Sequence, residues 1–222
     1  MKYYSLNGST SKVSFKDAVI KGLAEDKGLY YPEKINKLPE EFIKNIASLS
    51  DEDIALQAIK QFIGDEIPKA ILQQIVIETL SFPFPVVPLG NNISSLELFH
   101  GPTMAFKDVG ARFMARCLGY FNNNNKKEVT VLVATSGDTG GAVANGFLGI
   151  ENVKVVILYP SKKISEVQEK QLTTLNQNIS ALEVNGTFDD CQAMVKKAFL
   201  DTSITSIKQL TSANSINVAR WL

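Results

Sequence analysis

Three apolar, β-branched runs in the second half of the chain constrain its fold more than any other feature. They are VTVLVAT at 129–135, VKVVILY at 153–159 and ISALEV at 179–184, with helical patterns near 139–148, 164–176 and 188–200. Strands that are apolar on both faces and alternate with helices are typical of a parallel sheet covered on both sides. The sequence therefore predicts an α/β unit that binds ligands at the carboxyl ends of its strands.

The first 95 residues show a different pattern, in which helical segments predominate. Cap and breaker residues predict four helices: Ser14–Leu23 with an end near Gly28, one after Pro39, one after Ser50 and Asp51, and 69–80 behind Pro68. The stretch SFPFPVVPLG, residues 81–90, contains three prolines and predicts a stiff connector, neither helix nor central strand. We therefore expect a mostly helical N-terminal region at 1–95, a lysine helix segment at 96–128 and a small α/β subdomain at 129–222.

The charge balance argues against polymeric partners. The 222 residues carry 23 Lys and Arg against 23 Asp and Glu, so no basic footprint for nucleic acid or an anionic membrane exists. No apolar run is long enough to span a bilayer, and the start MKYYSLNGSTSK lacks the apolar core of a signal peptide. We expect a cytoplasmic protein with a small-molecule substrate. The sequence does not give its oligomeric state, and a monomer is compatible with it.

Cysteine and histidine usage removes several kinds of site. Cys117 and Cys191 are far apart and lack the clustering of a zinc site, so we expect two buried core residues and no metal. The single histidine, His100, would have to serve alone in any Ser-His or Cys-His nucleophile. Its place before Gly101 and Pro102 is equally compatible with a bond to nearby backbone and with a role in a site.

Lys107 lies in HGPTMAFKDVGARFMAR, a segment whose neighbours favour burial, although lysine is rarely buried without a partner. A helix from about Thr103 would place small and apolar residues on the face of Lys107, namely Gly110, Ala111, Met114 and Leu118. Such a face leaves room for a flat ligand beside a nucleophilic amine. The alternative is a lysine whose stem covers the core while its ammonium pairs with Asp108 or solvent.

The loop SGDTGG follows the strand VTVLVAT directly and opens a helix. Its glycines, Gly137, Gly140 and Gly141, let the backbone approach a ligand, and its side-chain oxygens lie at a helix N-terminus that favours anions. This arrangement indicates a site for a carboxylate or phosphate, and it matches neither the dinucleotide nor the nucleoside triphosphate motif. The alternative is a simple βα turn in which Ser136 or Asp138 only caps the helix.

Two further stretches could supply polar groups to the same edge of the sheet. LYPSKKISEVQEKQ places Lys162, Lys163 and Ser165 between a strand and a helix, where a solvated charge cluster is the competing interpretation. TSANSINVARWL brings together Ser212, Asn214, Ser215, Asn217 and Arg220, which could converge on a phosphate or act only as caps and turn residues.

Four of these stretches together resemble one family. FHGPTMAFKDVGARFMA, ATSGDTGGAVANGF, VVILYPSKKISEVQEKQ and TSANSINVAR are similar to the signature segments of threonine synthases, pyridoxal phosphate enzymes of the type II, tryptophan synthase β-like fold. MKYYSLN, KGLAEDKGLYYPE and QFIGDEIP also resemble the start of that family. The resemblance covers essentially the whole chain and implies a lyase of threonine biosynthesis. It would convert O-phospho-L-homoserine and water to L-threonine and phosphate.

The resemblance implies a role for each matching residue. Lys107 in AFKD would form the internal aldimine with pyridoxal 5'-phosphate and move protons on the substrate. The SGDTG residues would hold the cofactor ring or the amino-acid part of the substrate: Ser136, Gly137, Asp138, Thr139 and Gly140. The segments that resemble the substrate phosphate pocket would contribute Lys163, Ser165, Asn214, Ser215, Asn217 and Arg220.

The chain also departs from the family pattern. Members are considerably longer and carry a later SGNFG-type loop for the cofactor phosphate and a group that faces the pyridine nitrogen, and this sequence has neither. It stops in VARWL, within an expected helix, with an exposed Trp221. We therefore expect a truncated chain or N-terminal fragment that binds the cofactor weakly and is inactive, or nearly so, by itself.

Two other functions stay open on the sequence. An O-phosphohomoserine lyase of the same fold would release ammonia and a keto acid in place of threonine. A non-catalytic α/β module would bind a small anion, and a Lys107→Ala variant of it would keep its ligand affinity.

Overall fold

The computed structural model describes residues 1–123 and 128–222. The chain opens with a three-stranded antiparallel sheet in the order β2-β1-β3, composed of β1 (Lys2–Ser5), β2 (Val13–Ser14) and β3 (Tyr30–Pro32). The strands of this sheet are too short to show a period in the sequence, so the sequence pattern does not predict it. The N-terminal region is therefore mixed and not only helical.

Helix α1 (Phe15–Lys21) follows β2 directly, with the Ser14 hydroxyl accepting a hydrogen bond from the Asp17 backbone N–H. The helix ends before Gly22, whose φ of 71° leaves the helical region, and so it stops well short of the predicted end near Gly28.

The other three predicted helices of this region are confirmed. They are α2 (Glu40–Asn45), α3 (Asp51–Ile63) and α4 (Lys69–Thr79), with a 3₁₀ turn at Ile46–Ser48 after α2. Ser50 caps α3 by accepting a hydrogen bond from the Asp53 N–H. Pro39 and Pro68 immediately precede the first residues of α2 and α4, where a fixed φ suits the start of a helix.

The proline-rich segment at 81–90 is neither helix nor central strand, as predicted, but its second half is an edge strand and not only a connector. Strand β4 (Val86–Gly90) pairs antiparallel with β5 (Ile93–Leu96) in a two-stranded hairpin. Every strand of such a hairpin is an edge strand, where a proline is tolerated. The turn uses Asn91 and Asn92 at φ values of 49° and 60°, a conformation that asparagine adopts more readily than most residues.

Helix α5 (Lys107–Asn122) begins at Lys107 and not at about Thr103. The residues before it form turns, and Met104 has a φ of 56°, which is incompatible with a helix. The polar run NNNN at 122–125 predicts a short linker between a helix and a strand. Asn122 is the last residue of α5, whereas residues 124 and 125 lie outside the described part of the chain.

The predicted parallel sheet is confirmed and has one more strand than expected. Its four strands run parallel in the order β8-β7-β6-β9, namely β6 (Val129–Ala134), β7 (Val153–Pro160), β8 (Ile179–Val184) and β9 (Gln209–Ser212). Strand β9 was not predicted because its sequence, QLTS, is short and half polar and forms no apolar run.

Five helices belong to this half of the chain: α6 (Asp138–Phe147), α7 (Glu166–Thr173), α8 (Phe188–Leu200), α9 (Thr202–Thr205) and α10 (Val218–Trp221). The chain moves outward from β6 through β7 to β8, and then returns to place β9 on the other side of β6. The carboxyl ends of β6 and β9 therefore form a point where the strand order reverses, and open α/β sheets bind ligands at such points.

Apolar cores cover both faces of the parallel sheet. Val131 and Val133 belong to the main core, which also includes Tyr3 near the N-terminus. Leu132 and Ala134 face a smaller core formed with α8. This alternation gives the three-layer α/β architecture that the sequence predicted. Residues of all three predicted regions share the main core, and the boundaries at 95 and 128 stay predictions.

Both cysteines are fully buried, as expected for core residues. Burial in apolar surroundings raises the pKa of the Cys117 thiol, so this sulfur stays protonated and unreactive.

Candidate active site

Lys107 is the first residue of α5, and its side chain is 25% exposed. Its Nζ atom lies 3.4 Å from Asp138 Oδ2 and 4.3 Å from the centroid of the Phe106 ring. The contact with Asp138 joins the AFKD segment to the SGDTG loop across 31 residues of sequence. The amine is thus partly accessible and has a carboxylate beside it.

The expected alternative partner of the lysine, Asp108, has a different role. Its side chain is buried, and its carboxylate accepts hydrogen bonds from the Thr103 backbone N–H at 3.0 Å and the Thr103 hydroxyl at 2.5 Å. Gly101 lies so close that an added Cβ would meet Asp108 Oδ2 at 2.5 Å. Asp108 therefore stabilises the turn that precedes α5. The carboxylate that contacts the Lys107 amine is that of Asp138.

The helix face beside Lys107 is small and apolar as predicted, but it does not leave room for a ligand over its whole length. Ala111, Met114 and Leu118 are fully buried in the main core. A Cβ on Gly110 would lie 2.5 Å from the Arg220 carbonyl oxygen, so α10 occupies the space beside this glycine. Lys107 lies at the N-terminal end of this face, before its buried residues begin.

The SGDTG loop lies at the carboxyl end of β6, where the strand order reverses. The Thr135 hydroxyl oxygen accepts hydrogen bonds from the N–H groups of Gly137 at 3.0 Å and Gly140 at 2.8 Å. Gly137 has a φ of 142° and is the N-cap of α6, so the side chain that bonds the first turn is that of Thr135. The alternative in which Ser136 or Asp138 caps α6 is therefore wrong, and the Asp138 carboxylate is free to face Lys107.

Gln168 of α7 belongs to the same cluster, and the sequence analysis missed it. Its Nε2 donates a hydrogen bond to Asp138 Oδ1 at 2.9 Å. Its Oε1 accepts from the backbone N–H and the hydroxyl of Ser165, at 3.1 Å and 3.2 Å. The spacing of Ser165 and Gln168 is that of a capping box, a signal that would have predicted the local bond but not the contact with Asp138.

Ser165 and Lys163 occupy the segment between β7 and α7. Ser165 is the N-cap of α7, and its hydroxyl oxygen accepts a hydrogen bond from the Gln168 N–H. Lys163 is exposed. Through Gln168 and Asp138, the α7 start is connected to Lys107.

The segment after β9 contains the remaining predicted residues. The buried Asn217 amide donates to the Val19 carbonyl at 2.8 Å and to the Ser212 carbonyl at 3.3 Å, while its oxygen accepts from the Ala219 N–H at 3.1 Å. These bonds commit Asn217 to the fold. Asn214 is partly exposed and Ser215 is exposed at the same turn.

Arg220 packs against α5 beside Gly110. Its Nη1 donates to the Ala213 carbonyl oxygen, and its Nε has no hydrogen-bond partner in the described part of the chain. Burial lowers the pKa of this guanidinium to about 10, which still leaves it charged at neutral pH. Arg220 therefore has unused donors close to the Lys107 helix.

His100 lies outside this cluster. Its Nε2 is 2.7 Å from Glu97 Oε2, and its ring stacks on Phe99. Among residues 1–123 and 128–222, no group of three or more His, Cys, Asp or Glu side chains could hold a metal ion. The described helices include none with the length and apolar character to cross a membrane.

Comparisons with known proteins assign both halves of the chain. A family model described as the threonine synthase N terminus matches residues 2–80, and one described as a pyridoxal-phosphate dependent enzyme matches residues 88–221. The threonine synthase of Escherichia coli strain K12 is 48% identical over 225 residues, which cover 100% of this chain and 51% of that protein. The chain spans about half the length of the curated relatives it matches.

Solved structures give the same result. The crystal structure of threonine synthase from Escherichia coli matches with a TM-score of 0.90 and 46% identity over 99% of this chain and 51% of its own. A structure described as PLP-bound threonine synthase from Brucella melitensis matches with a TM-score of 0.92 and 40% identity, over 99% of this chain and 49% of its own. The described architecture is therefore that of half of these proteins.

Proposed function

Because this chain belongs to the pyridoxal-phosphate dependent enzyme family, we propose that it forms the lysine-bearing part of a threonine synthase. The proposed reaction converts O-phospho-L-homoserine and water to L-threonine and phosphate. The observation that carries the proposal is the contact between Lys107 and Asp138, which brings together the two segments most specific to that family. The similarity of the whole chain to threonine synthases supports it.

The residues around Lys107 fit pyridoxal phosphate. An aldehyde cofactor needs a primary amine that it can reach, and the partly exposed Nζ of Lys107 provides one. The neighbouring SGDTG loop is rich in glycine, which lets its backbone lie close to a flat ligand. We propose that Ser136, Gly137, Asp138, Thr139 and Gly140 contact the cofactor ring or the amino-acid part of the substrate.

When bound, pyridoxal phosphate supplies an electron sink for negative charge that develops on the substrate. The chain's own contribution is to hold and move protons. Lys107 is the first residue of α5, and its Nζ is the group that takes protons from the substrate and returns them. Asp138 Oδ2 accepts from that amine and keeps it in place between proton transfers.

The substrate phosphate is proposed to lie on the side of the cluster toward the α7 start and the turn after β9. Lys163 and Ser165 would meet it from α7, and Asn214 and Ser215 from the turn. Arg220 would attract the same anion, because its Nε has no hydrogen-bond partner among the described residues. Asn217 contributes by fixing the turn, because its amide is already bonded to backbone.

We place the reaction in cytoplasmic threonine biosynthesis and expect this chain by itself to be nearly inactive.

The proposal is tested by trapping the cofactor on the chain. The purified protein is mixed with pyridoxal phosphate, reduced with borohydride and digested, and the labelled peptides are mapped by mass spectrometry. We expect the label on Lys107 at substoichiometric cofactor, because this amine is partly exposed and lies beside the SGDTG loop through its contact with Asp138. Lys107→Ala should lose that label, whereas Lys154→Ala, which removes an exposed lysine paired with Glu128, should keep it. A label spread evenly over surface lysines would contradict the proposal.

Product analysis completes the same experiment. With O-phosphohomoserine present, ammonia and a keto acid would indicate the lyase reaction in place of threonine synthesis. Turnover comparable with that of the Escherichia coli relative would contradict the expected inactivity of this chain.

A further inference from the structure

We propose that Gln168 is a positioning residue for Lys107 and acts through Asp138. The Asp138 carboxylate has one oxygen 3.4 Å from Lys107 Nζ and the other bonded to Gln168 Nε2 at 2.9 Å. Gln168 therefore determines which way the carboxylate faces. The inference rests on the proposed function, since the direction of Asp138 matters to the reaction only if Lys107 anchors the cofactor.

The orientation of the Gln168 amide is fixed by its partners. The Ser165 backbone N–H can only donate, so the amide oxygen must face Ser165 and the NH₂ group must face Asp138. A reversed amide would place its oxygen against a carboxylate oxygen and its NH₂ against a backbone N–H. Gln168 thus presents a donor to Asp138 in the folded chain.

Asp138 needs this support because it is exposed. Its side chain is 55% exposed, and the ion pair with Lys107 is long. Exposed ion pairs are weak, and their side chains reorient freely unless another bond restrains them. The hydrogen bond from Gln168 supplies that restraint.

The support itself comes from a fixed helix. Leu172, one turn after Gln168, is buried in the main core and anchors α7. Gly137 makes the approach possible, because its missing side chain leaves the space that the Gln168 amide fills. Positioning residues act best from such rigid elements.

The test measures the reactivity of the Lys107 amine without cofactor. Trace acetylation with acetic anhydride, quantified by peptide mass spectrometry against Lys12 in the same sample, gives the relative rate. In Gln168→Met, Asp138 is no longer held, and we expect Lys107 to react roughly two- to fivefold faster, the size of effect that a partly exposed ion pair produces. A purely structural role of Gln168 as a cap would lower thermal stability and leave this rate unchanged.

The matched control is Gln74→Met. Gln74 Nε2 also donates to a carboxylate at 2.9 Å, that of Glu78 on α4. We expect this variant to leave the Lys107 rate at the wild-type value. An unchanged rate in Gln168→Met, or the same rise in Gln74→Met, would overturn the inference.

A second variant covers the case in which Gln168→Met does not fold. Gln168→Glu keeps an acceptor for Ser165, so the capping box survives, but it replaces the donor to Asp138 with a repelling carboxylate. The second carboxylate adds negative charge close to the Lys107 ammonium and holds it more strongly, so we expect slower acetylation of Lys107 than in the wild type, and a wild-type rate would contradict the inference. Because the measurement needs no cofactor, failure to trap pyridoxal phosphate on Lys107 would be a separate result.

Discussion

Strand β6 and the β4-β5 hairpin are similarly apolar in sequence and opposite in environment. All six residues of β6 are buried. In the hairpin the apolar side chains of Val86, Leu89, Ile93 and Leu96 are 64%, 68%, 60% and 58% exposed. The difference lies in their neighbours, because β6 has a strand on each side and a core on each face, whereas the hairpin strands have only each other.

The candidate site is built where these two environments meet. The loop after β6 supplies Asp138 from the buried sheet, and the turns after the hairpin lead directly into Lys107. Lys107 therefore follows an exposed segment, and Asp138, whose carboxylate faces its amine, follows a buried strand. The contrast predicts that changes in β6 disturb the site through the fold, while changes in the hairpin leave the described fold intact.

The largest effect is expected when a charge is placed in the buried strand β6. Val131→Asp places a carboxylate in the fully buried centre of β6 and should destabilise the protein by more than about 3 kcal/mol, because an unpaired buried charge has no compensation. The matched change in the hairpin, Leu89→Asp, should alter the free energy of unfolding by no more than about 0.5 kcal/mol. Urea unfolding followed by circular dichroism measures both, and equal losses would show that the hairpin is as important to this fold as β6.

An intermediate effect is expected at the turn after β9. Asn217→Ala removes three buried hydrogen bonds between this turn, α1 and α10, and should cost about 2–4 kcal/mol, since the Val19 carbonyl keeps only the longer bond from the Thr211 hydroxyl. Asn45→Ala, which removes an exposed amide bonded to Glu41, should cost less than about 0.5 kcal/mol in the same assay. A small loss in Asn217→Ala would mean that water replaces the amide, and that the turn is less rigid than β6.

The smallest effect concerns the junction of α4 and α5, which leads into the hairpin. The hydrogen bond from Gln74, and after it the hydrogen bond and charge of Arg116, lower the pKa of Glu78 below its ordinary value of 4.5. A lowered pKa in the folded state gives stability that is present above the ordinary pKa and lost as the pH falls through the folded value. Unfolding of the native protein should therefore become easier below about pH 4.5.

Glu78→Gln isolates this contribution. The variant should lose part of the stability at neutral pH and show a flatter decline in acid than the native protein, as measured by urea midpoints at several pH values. Parallel acid profiles of variant and native protein would show that Glu78 contributes nothing to the junction.

Much of the fold could be predicted because its signals are local. The three β-branched strands and the helices between them follow from the period of apolar residues, and the helices after Pro39, Ser50 and Pro68 follow from their start signals. Strand β9 and the hairpin were missed because QLTS and VVPLG lack such a period. Their pairing is decided by neighbours distant in sequence.

Only part of the candidate site could be predicted from the sequence. Lys107 and the SGDTG loop were found as motifs, and their roles stay proposals. Gln168 was missed because its local pattern indicates only a capping box. Asp108, which the alternative interpretation paired with Lys107, instead bonds Thr103. Which carboxylate faces an amine depends on side-chain direction at the start of a helix, and that direction depends on packing.

The sequence by itself determined the parallel α/β core, the AFKD segment with Lys107 and the glycine loop, because apolar periodicity and short motifs are properties of neighbouring residues. Only the tertiary structure decided that Asp138 lies beside Lys107, that Gln168 holds it and that α10 closes the helix face at Gly110. Lys107 and Asp138 are 31 positions apart in the sequence, and Asp138 and Gln168 are 30 apart. Gly110 and Arg220 are 110 positions apart. These contacts arise where separate elements pack, and no local pattern specifies that packing.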